Sequence, residues 1–297
     1  MTTPAVHLKA VQAGLNHSSL PMRLYHKAKR LGIWNPADLD FAQDARDWAG
    51  LDAPSQAMLG ALTSLFVGGE EAVTLELLPL MLAVSRSGQT EEALYLTTFL
   101  FEEAKHTEFF ERVQREVMTL QGDLSGWHGP AYRTVFYEEL PGALGALLSD
   151  DSPLALARAS TTYNMIVEGV LAETGYQAIR TMLQGRGLMP GVCQGITLLQ
   201  RDESRHIAYG LHLLSRLIRQ DEAVWPAIQA RMDELLPHAL GVIPETLGRP
   251  ELDGAALRPD LDELIGYALS QFQKRVALLE RAHAGQELDS DTEIAEI

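Results

Sequence analysis

Apolar residues recur along this chain at the three- and four-residue steps of a helix, and not at the two-residue step of a half-buried strand. Neither hairpin-linked strands nor a glycine-rich phosphate loop of standard spacing can be found. The pattern predicts a helix over 37–48, then a long one opening at Pro54, a good first-turn residue, and stopping near Ser87-Gly88. Pro79 should kink that helix or end it early. The next is expected over 90–120, with Glu91 and Glu92 in its first turn, where the macrodipole favours them. After a loop at 122–129, a helix over 130–148 leads through Asp151-Ser152-Pro153, a start signal, into a long helix ending near Gly185. Another spans 190–219, and less regular helices fill 221–284. Residues 1–36 read as polar and irregular, and the acidic tail 285–297 as mobile. No stretch has the composition of an interdomain linker. The expectation is one all-α domain over 1–297, with the bundle at about 54–220 and additional helices around it.

Composition narrows the function. Apolar residues make up 46% of the 297, enough for a real core. The single cysteine, Cys193, excludes an internal disulfide framework and any zinc or iron–sulfur site built on cysteines. Twenty-four Lys and Arg against forty Asp and Glu leave a net charge of −16. Such a surface is repelled by phosphate backbones and anionic membranes, so no nucleic-acid partner is expected. Met1 to Leu15 lack a basic segment followed by an apolar one, so no signal peptide is read there. The longest charge-free stretch, Ala53 to Gly69, contains Pro54, Ser55 and Gln56 and is no membrane span. A cytoplasmic protein is the expectation.

Carboxylates that are not solvated surface invite hard metal ions, and two motifs stand out. Glu103-Ala104-Lys105-His106 and Glu203-Ser204-Arg205-His206 are both Glu-x-x-His, whose two side chains share one helical face. The stripe Leu96, Phe99, Leu100, Glu103, His106, Phe110, Val113 is apolar except at the motif, and Ile196, Leu199, Glu203, His206, Leu213 behaves alike. A Glu on a core face is costly unless it is paired, protonated or bound to a cation. The preceding helices each add one: Glu70, on the stripe of Leu59, Leu62, Phe66, Val73 and Leu77, and Glu168, the only charge between Ser160 and Ala172. Glu70 precedes Glu103 by 33 residues, and Glu168 precedes Glu203 by 35. One Glu from each of two helices and one Glu-x-x-His from each of two others form the ligand set of ferritin-like di-iron and di-manganese proteins. Oxygen-rich ligation with two imidazoles suits manganese and iron. Glu103 and Glu203 would bridge two close ions. Glu71, Glu102 and Glu108 lie on poorer apolar stripes and read as solvated.

Glu70 with Val73, Glu103-x-x-His106, Tyr163 with Glu168, and Glu203-x-x-His206 together resemble the ribonucleotide-reductase-small-subunit-like ligand-binding oxidases. The Val three residues after the first Glu and the Tyr five before the third are the specific part, and the likeness covers about 55–220. The resemblance implies a ferritin-like fold, a homodimer and a manganese/iron pair, with manganese at Glu70, Glu103 and His106 and iron at Glu168, Glu203 and His206. It also implies dioxygen activation beside a long-chain fatty acid, and an ether bond joining Val73 to Tyr163. Asp202 resembles a carboxylate that orients a metal-binding imidazole, here His106. On an ideal helix Tyr163 and Glu168 stand roughly 140° apart, so a π-bulge is expected between them.

Two alternatives remain open at this point. A ribonucleotide reductase small subunit would place its radical tyrosine where this chain has Phe110, and would carry a tyrosine near its C-terminus, whereas the last one here is Tyr267. A lipid-binding or metal-storage protein without turnover is the other.

Overall fold

The N-terminal segment is more helical than its polarity suggests. In the computed structural model, which describes residues 9–286, α1 covers Lys9–Gln12 and α2 covers Leu20–Leu31. Leu20, Leu24 and Ala28, one turn apart, form a narrow apolar stripe among the charges of α2 and are buried. That stripe packs α2 on two later helices, α5 and α10 of the series below, and corrects the irregular reading over 9–36, while 1–8 lies outside the described residues. Of the tail expected to be mobile, 287–297 lies outside the described residues.

The remaining helices follow the predicted order. They are α3 (Ala42–Ala49), α4 (Ala53–Arg86), α5 (Thr90–Arg112), α6 (Pro130–Arg133), α7 (Leu140–Gly145) and α8 (Pro153–Ser160). Then come α9 (Glu173–Leu183), α10 (Pro190–Gln220), α11 (Val224–Leu247) and α12 (Leu261–His283). Among the described residues there is no strand. Asp52 caps α4 by accepting from the Ser55 amide at 2.8 Å. Ser152 caps α8 in the same way, through the Ala155 amide at 3.3 Å. Pro79 does not end α4, because Leu77, Leu80, Ala83 and Val84 around it are fully buried and hold the helix together. The stretch after 221 is also more regular than expected: α11 runs through Pro237 and Pro244.

α8, a π-helical segment over Thr161–Ala172, and α9 form one continuous rod. Every side chain from Thr161 to Val170 is buried, so this segment has no solvated face. α4, α5, α10 and this rod surround one contiguous apolar core. Gly210 lets α10 approach the rod closely, since a β-carbon there would lie 2.3 Å from the Asn164 β-carbon. No helix of the described residues is long and apolar enough to cross a membrane.

Candidate metal centre

Each of the four core helices delivers the side chains its periodicity promised. Glu103 and His106, three apart on α5, face inward together, and Glu203 and His206 do the same on α10. Glu70 comes from α4 and Glu168 from the π-helical segment. All six are at most 5% exposed. Ligand atoms of Glu70, Glu103, His106 and Glu203 lie within 4.8 Å of one another, and so do those of Glu103, Glu168, Glu203 and His206. The two groups share Glu103 and Glu203. Two ions, each with one imidazole and one carboxylate of its own, could sit side by side there, bridged by the shared pair.

Both imidazoles turn Nδ1 toward the carboxylates. His106 Nδ1 is 3.7 Å from Glu70, 3.6 Å from Glu103 and 3.5 Å from Glu203. His206 Nδ1 is 3.0 Å from Glu103 and 3.5 Å from both Glu168 and Glu203. Both Nδ1 atoms, with Glu103 Oε2, Glu168 Oε1 and Glu203 Oε2, are buried without a hydrogen-bond partner. A buried polar atom without a partner is costly. Two divalent cations would satisfy all five, so this donor set fits such a pair.

The outer imidazole nitrogens are held by a second ring of charge. His106 Nε2 is 3.3 Å from Asp202 Oδ2, as the resemblance implied. His206 Nε2 is 3.0 Å from Glu102 Oε2. Glu102 is therefore buried rather than solvated, which corrects the sequence reading. Its partners, Arg205 at 2.6 Å and His206, come from α10, and no stripe on α5 reveals them. Arg205 also pairs with Asp202, joining the two carboxylates. Lys105 donates to Asp202 at 3.0 Å, and the Trp34 indole donates to the same oxygen at 2.7 Å. Two anions and two cations balance here, so the four inner carboxylates must find their positive charge elsewhere. Glu71 and Glu108 are exposed, as expected.

The expected π-helix is present. Its i to i+5 periodicity brings Tyr163 and Glu168 to the same inner side. The Tyr163 hydroxyl donates to Glu103 Oε1 at 3.3 Å. Val73 is buried one turn beyond Glu70. Two further residues escaped the sequence reading. The Tyr176 hydroxyl donates to Glu203 at 3.0 Å and reaches Glu70 at 3.4 Å. Asn164 donates to Glu168 at 2.8 Å and is itself held by Ser160 at 2.8 Å. Phe110, where a reductase would carry its tyrosine, stacks on Phe66 with ring centroids 4.4 Å apart.

Glu70, Glu103, Glu168 and Glu203 all line one cavity, whose empty space is about 840 Å³ with the open solvent at its mouth included. Its walls are almost wholly apolar, with Leu62, Phe66, Val73, Phe136, Val167 and Ile243 among them. Gly69 lines it where a β-carbon would press on the Phe136 ring at 3.3 Å.

Without metal, the cluster balances itself with protons. Burial raises Glu70 from 4.5 to about 8, against the opposing pull of His106. Burial likewise raises Glu168 well above the usual carboxylate range. For His206 burial acts downward, but Glu103, Glu102 and Glu168 outweigh it and raise the imidazole well above its ordinary value. His106 is raised in the same way by Asp202, Glu103 and Glu70. Groups raised by folding stabilise the chain below their unfolded pKa, and that contribution is lost as pH rises through the folded value. Through Glu70 the window runs from 4.5 to about 8. The metal-free protein should therefore melt at progressively lower temperature across this window. Metal binding, which must displace these protons, should strengthen with pH and widen the melting difference between loaded and metal-free protein. Calorimetry at several pH values checks this, and a constant difference would contradict it.

Residues 22–242 match the family model described as ribonucleotide reductase, small chain. An R2-like ligand-binding oxidase with aerobically reconstituted Mn/Fe cofactor is 42% identical, with a TM-score of 0.87, covering 92% of this chain and 96% of the other. A valine-to-isoleucine variant of such an oxidase matches at 42% identity and TM-score 0.87, covering 92% and 98%. A tyrosine-to-phenylalanine variant with anaerobically reconstituted Mn/Fe cofactor gives 42% and 0.86, covering 92% and 97%. The chain belongs to the R2-like ligand-binding oxidases. It is thus an oxidoreductase by family, with the ferritin-like helical fold of the reductase small chain.

Proposed function

We propose that this R2-like ligand-binding oxidase holds one manganese and one iron ion, activates dioxygen beside a bound long-chain fatty acid, and joins Val73 to Tyr163 by an ether bond. The observation that carries the reading is the apolar cavity whose lining includes all four carboxylates of the cluster. Its walls suit an acyl chain, and the four carboxylates in its lining would let the acid's carboxylate reach the metals. Manganese is assigned to Glu70, Glu103 and His106, and iron to Glu168, Glu203 and His206. Carboxylate-rich sites favour iron over manganese by intrinsic affinity, so a mixed pair needs selection by geometry or by oxygen chemistry. The bound pair supplies electrons for reducing dioxygen.

The protein's own residues do the rest. Asp202 and Glu102 hold the two imidazoles with Nδ1 turned inward. Tyr176 and Asn164 hold Glu203 and Glu168. Tyr163 presents its phenol against Glu103, and the apolar walls exclude water from the Val73 methine. The whole of 1–297 acts as one domain in this proposal, in the cytoplasm. A second copy would cover the exposed Leu75, Leu78 and Leu82 of α4 and Phe101 of α5, which are 59%, 52%, 40% and 55% exposed.

One loading experiment tests the reading. Metal-free protein given equal manganese and iron in air should take up one of each, and organic extraction should release one fatty acid per chain. Two irons per chain with manganese in excess would refute the metal assignment, and empty extracts would refute the lipid. The reductase alternative would then gain, against which stands the lack of any tyrosine after Tyr267.

A further inference from the structure

His206 does not end the site on its side; it opens into an aromatic cluster. Phe99 stacks on its ring with centroids 3.7 Å apart. Phe99 in turn meets Tyr163 at 5.8 Å, Tyr95 at 6.0 Å and Tyr209 at 6.4 Å. Tyr95 and Tyr209 lie 5.1 Å apart, and both are fully buried.

The hydroxyl partners separate these phenols. An oxidised phenol is a strong acid and must shed its proton at once, so the tyrosine that can give up an electron is the one beside a carboxylate that the ions would leave unoccupied. Tyr163 and Tyr176 donate to carboxylates of the metal cluster, whose lone pairs the ions would occupy. The Tyr95 hydroxyl is buried without a partner. Tyr209 alone of these four donates to a carboxylate outside the cluster, Glu92 Oε2 at 3.1 Å. Burial would raise Glu92, but His212 and Arg216 outweigh it and keep the carboxylate ionised. Those two partners, at 3.7 Å and 2.8 Å, are themselves 24% and 15% exposed and bring the path to the surface.

The His106 side is closed by comparison. Trp34 stacks near that imidazole at 6.3 Å, but the Lys105 ammonium lies 4.2 Å over the indole face. The indole N–H does meet a carboxylate, Asp202, but that group already serves His106, Lys105 and Arg205, and oxidising Trp34 would set positive charge against a buried ammonium, which the low dielectric makes costly.

From this geometry we infer that Tyr209 and Glu92 form an outlet for surplus oxidising power, refilled by an anionic one-electron reductant at Arg216 and His212. The inference rests on the oxygen-activating reading above. When dioxygen has been reduced and the Val73 C–H bond has not supplied the electrons, Tyr209 gives one electron to the metal centre across Phe99. Its phenolic proton passes to Glu92, leaving a neutral tyrosyl radical and a protonated carboxyl group. A reductant of the ascorbate class returns the electron, and Glu92 returns the proton. The Arg216 guanidinium there favours an anionic donor. The site then survives an abortive turnover without oxidising its own walls.

The test uses whole protein loaded with manganese and iron, in the Tyr163→Phe background, where the cross-link cannot consume the oxidising equivalents. Rapid mixing with oxygen and freezing, with ring-deuterated tyrosine as the label, should show a tyrosyl radical by electron paramagnetic resonance. Ascorbate should hasten its decay. Adding Tyr209→Phe should abolish the signal while both metals still bind, and new oxidised peptides should appear around the site by mass spectrometry. Glu92→Gln, which keeps the phenol and removes the base, should abolish it too. A radical of unchanged amplitude in the Tyr209→Phe protein would overturn the inference, as would its absence in the parent despite oxygen consumption. Failure of the parent to bind metals or consume oxygen would instead overturn the oxygen-activating reading itself.

Discussion

After aerobic activation with manganese and iron, the peptides carrying Val73 and Tyr163 are expected to elute together as one branched species. Its mass should be that of the two peptides less two hydrogens. One hydrogen comes from the Val73 C–H bond and one from the Tyr163 phenol, and dioxygen takes up both electrons and both protons. The geometry supports this partnership. Val73 stands one turn from Glu70 on α4, and the Tyr163 hydroxyl lies 3.3 Å from Glu103, so both side chains border the same ligand groups. Tyr163→Phe should abolish the branched species completely yet leave metal uptake intact, because the phenol is not among the six ligands. The bond would tie α4 to the rod across 90 residues, and closing so long a loop should stabilise the fold by about 4.6 kcal/mol on the loop-entropy account, by restricting the unfolded chain, and so raise the melting temperature. Separate Val73 and Tyr163 peptides after full activation would contradict the cross-link.

Glu203→Ala and Glu103→Ala should each lose both ions, not one. Each residue belongs to both groups of ligand atoms, so its removal takes a donor from two sites and leaves the remaining cations closer to mutual repulsion. Glu70→Ala and Glu168→Ala each touch one group and should spare the other ion. Asp202→Ala acts one step further out, through the His106 Nε2 contact, and should weaken binding about 10–100-fold without abolishing it. Metal analysis of the purified variants distinguishes the three grades. Equal loss in all of them would mean that the two sites cannot be treated as separate.

The helices, their order and the six buried carboxylate and imidazole side chains of the cluster were legible along the chain, because an i to i+3 pair on an apolar stripe carries its meaning locally. The same holds for Tyr163 with Glu168 once a wider helix is allowed for their spacing. What the chain alone could not tell depends on helices meeting. Glu102 looked solvated, yet Arg205 and His206 reach it across 103 and 104 residues and make it the anchor of one imidazole. Trp34 meets Asp202 across 168 residues, and Tyr176 meets Glu70 across 106. The outer charge balance, the cavity and the Tyr209–Glu92 pair are of the same kind. Local periodicity decides which face of a helix is buried; only packing decides which buried polar groups find each other, since a hydrogen bond needs two atoms within about 3 Å. Pro79, Pro237 and Pro244 make the same point for the backbone, where burial of the neighbouring turns outweighed the local cost of proline.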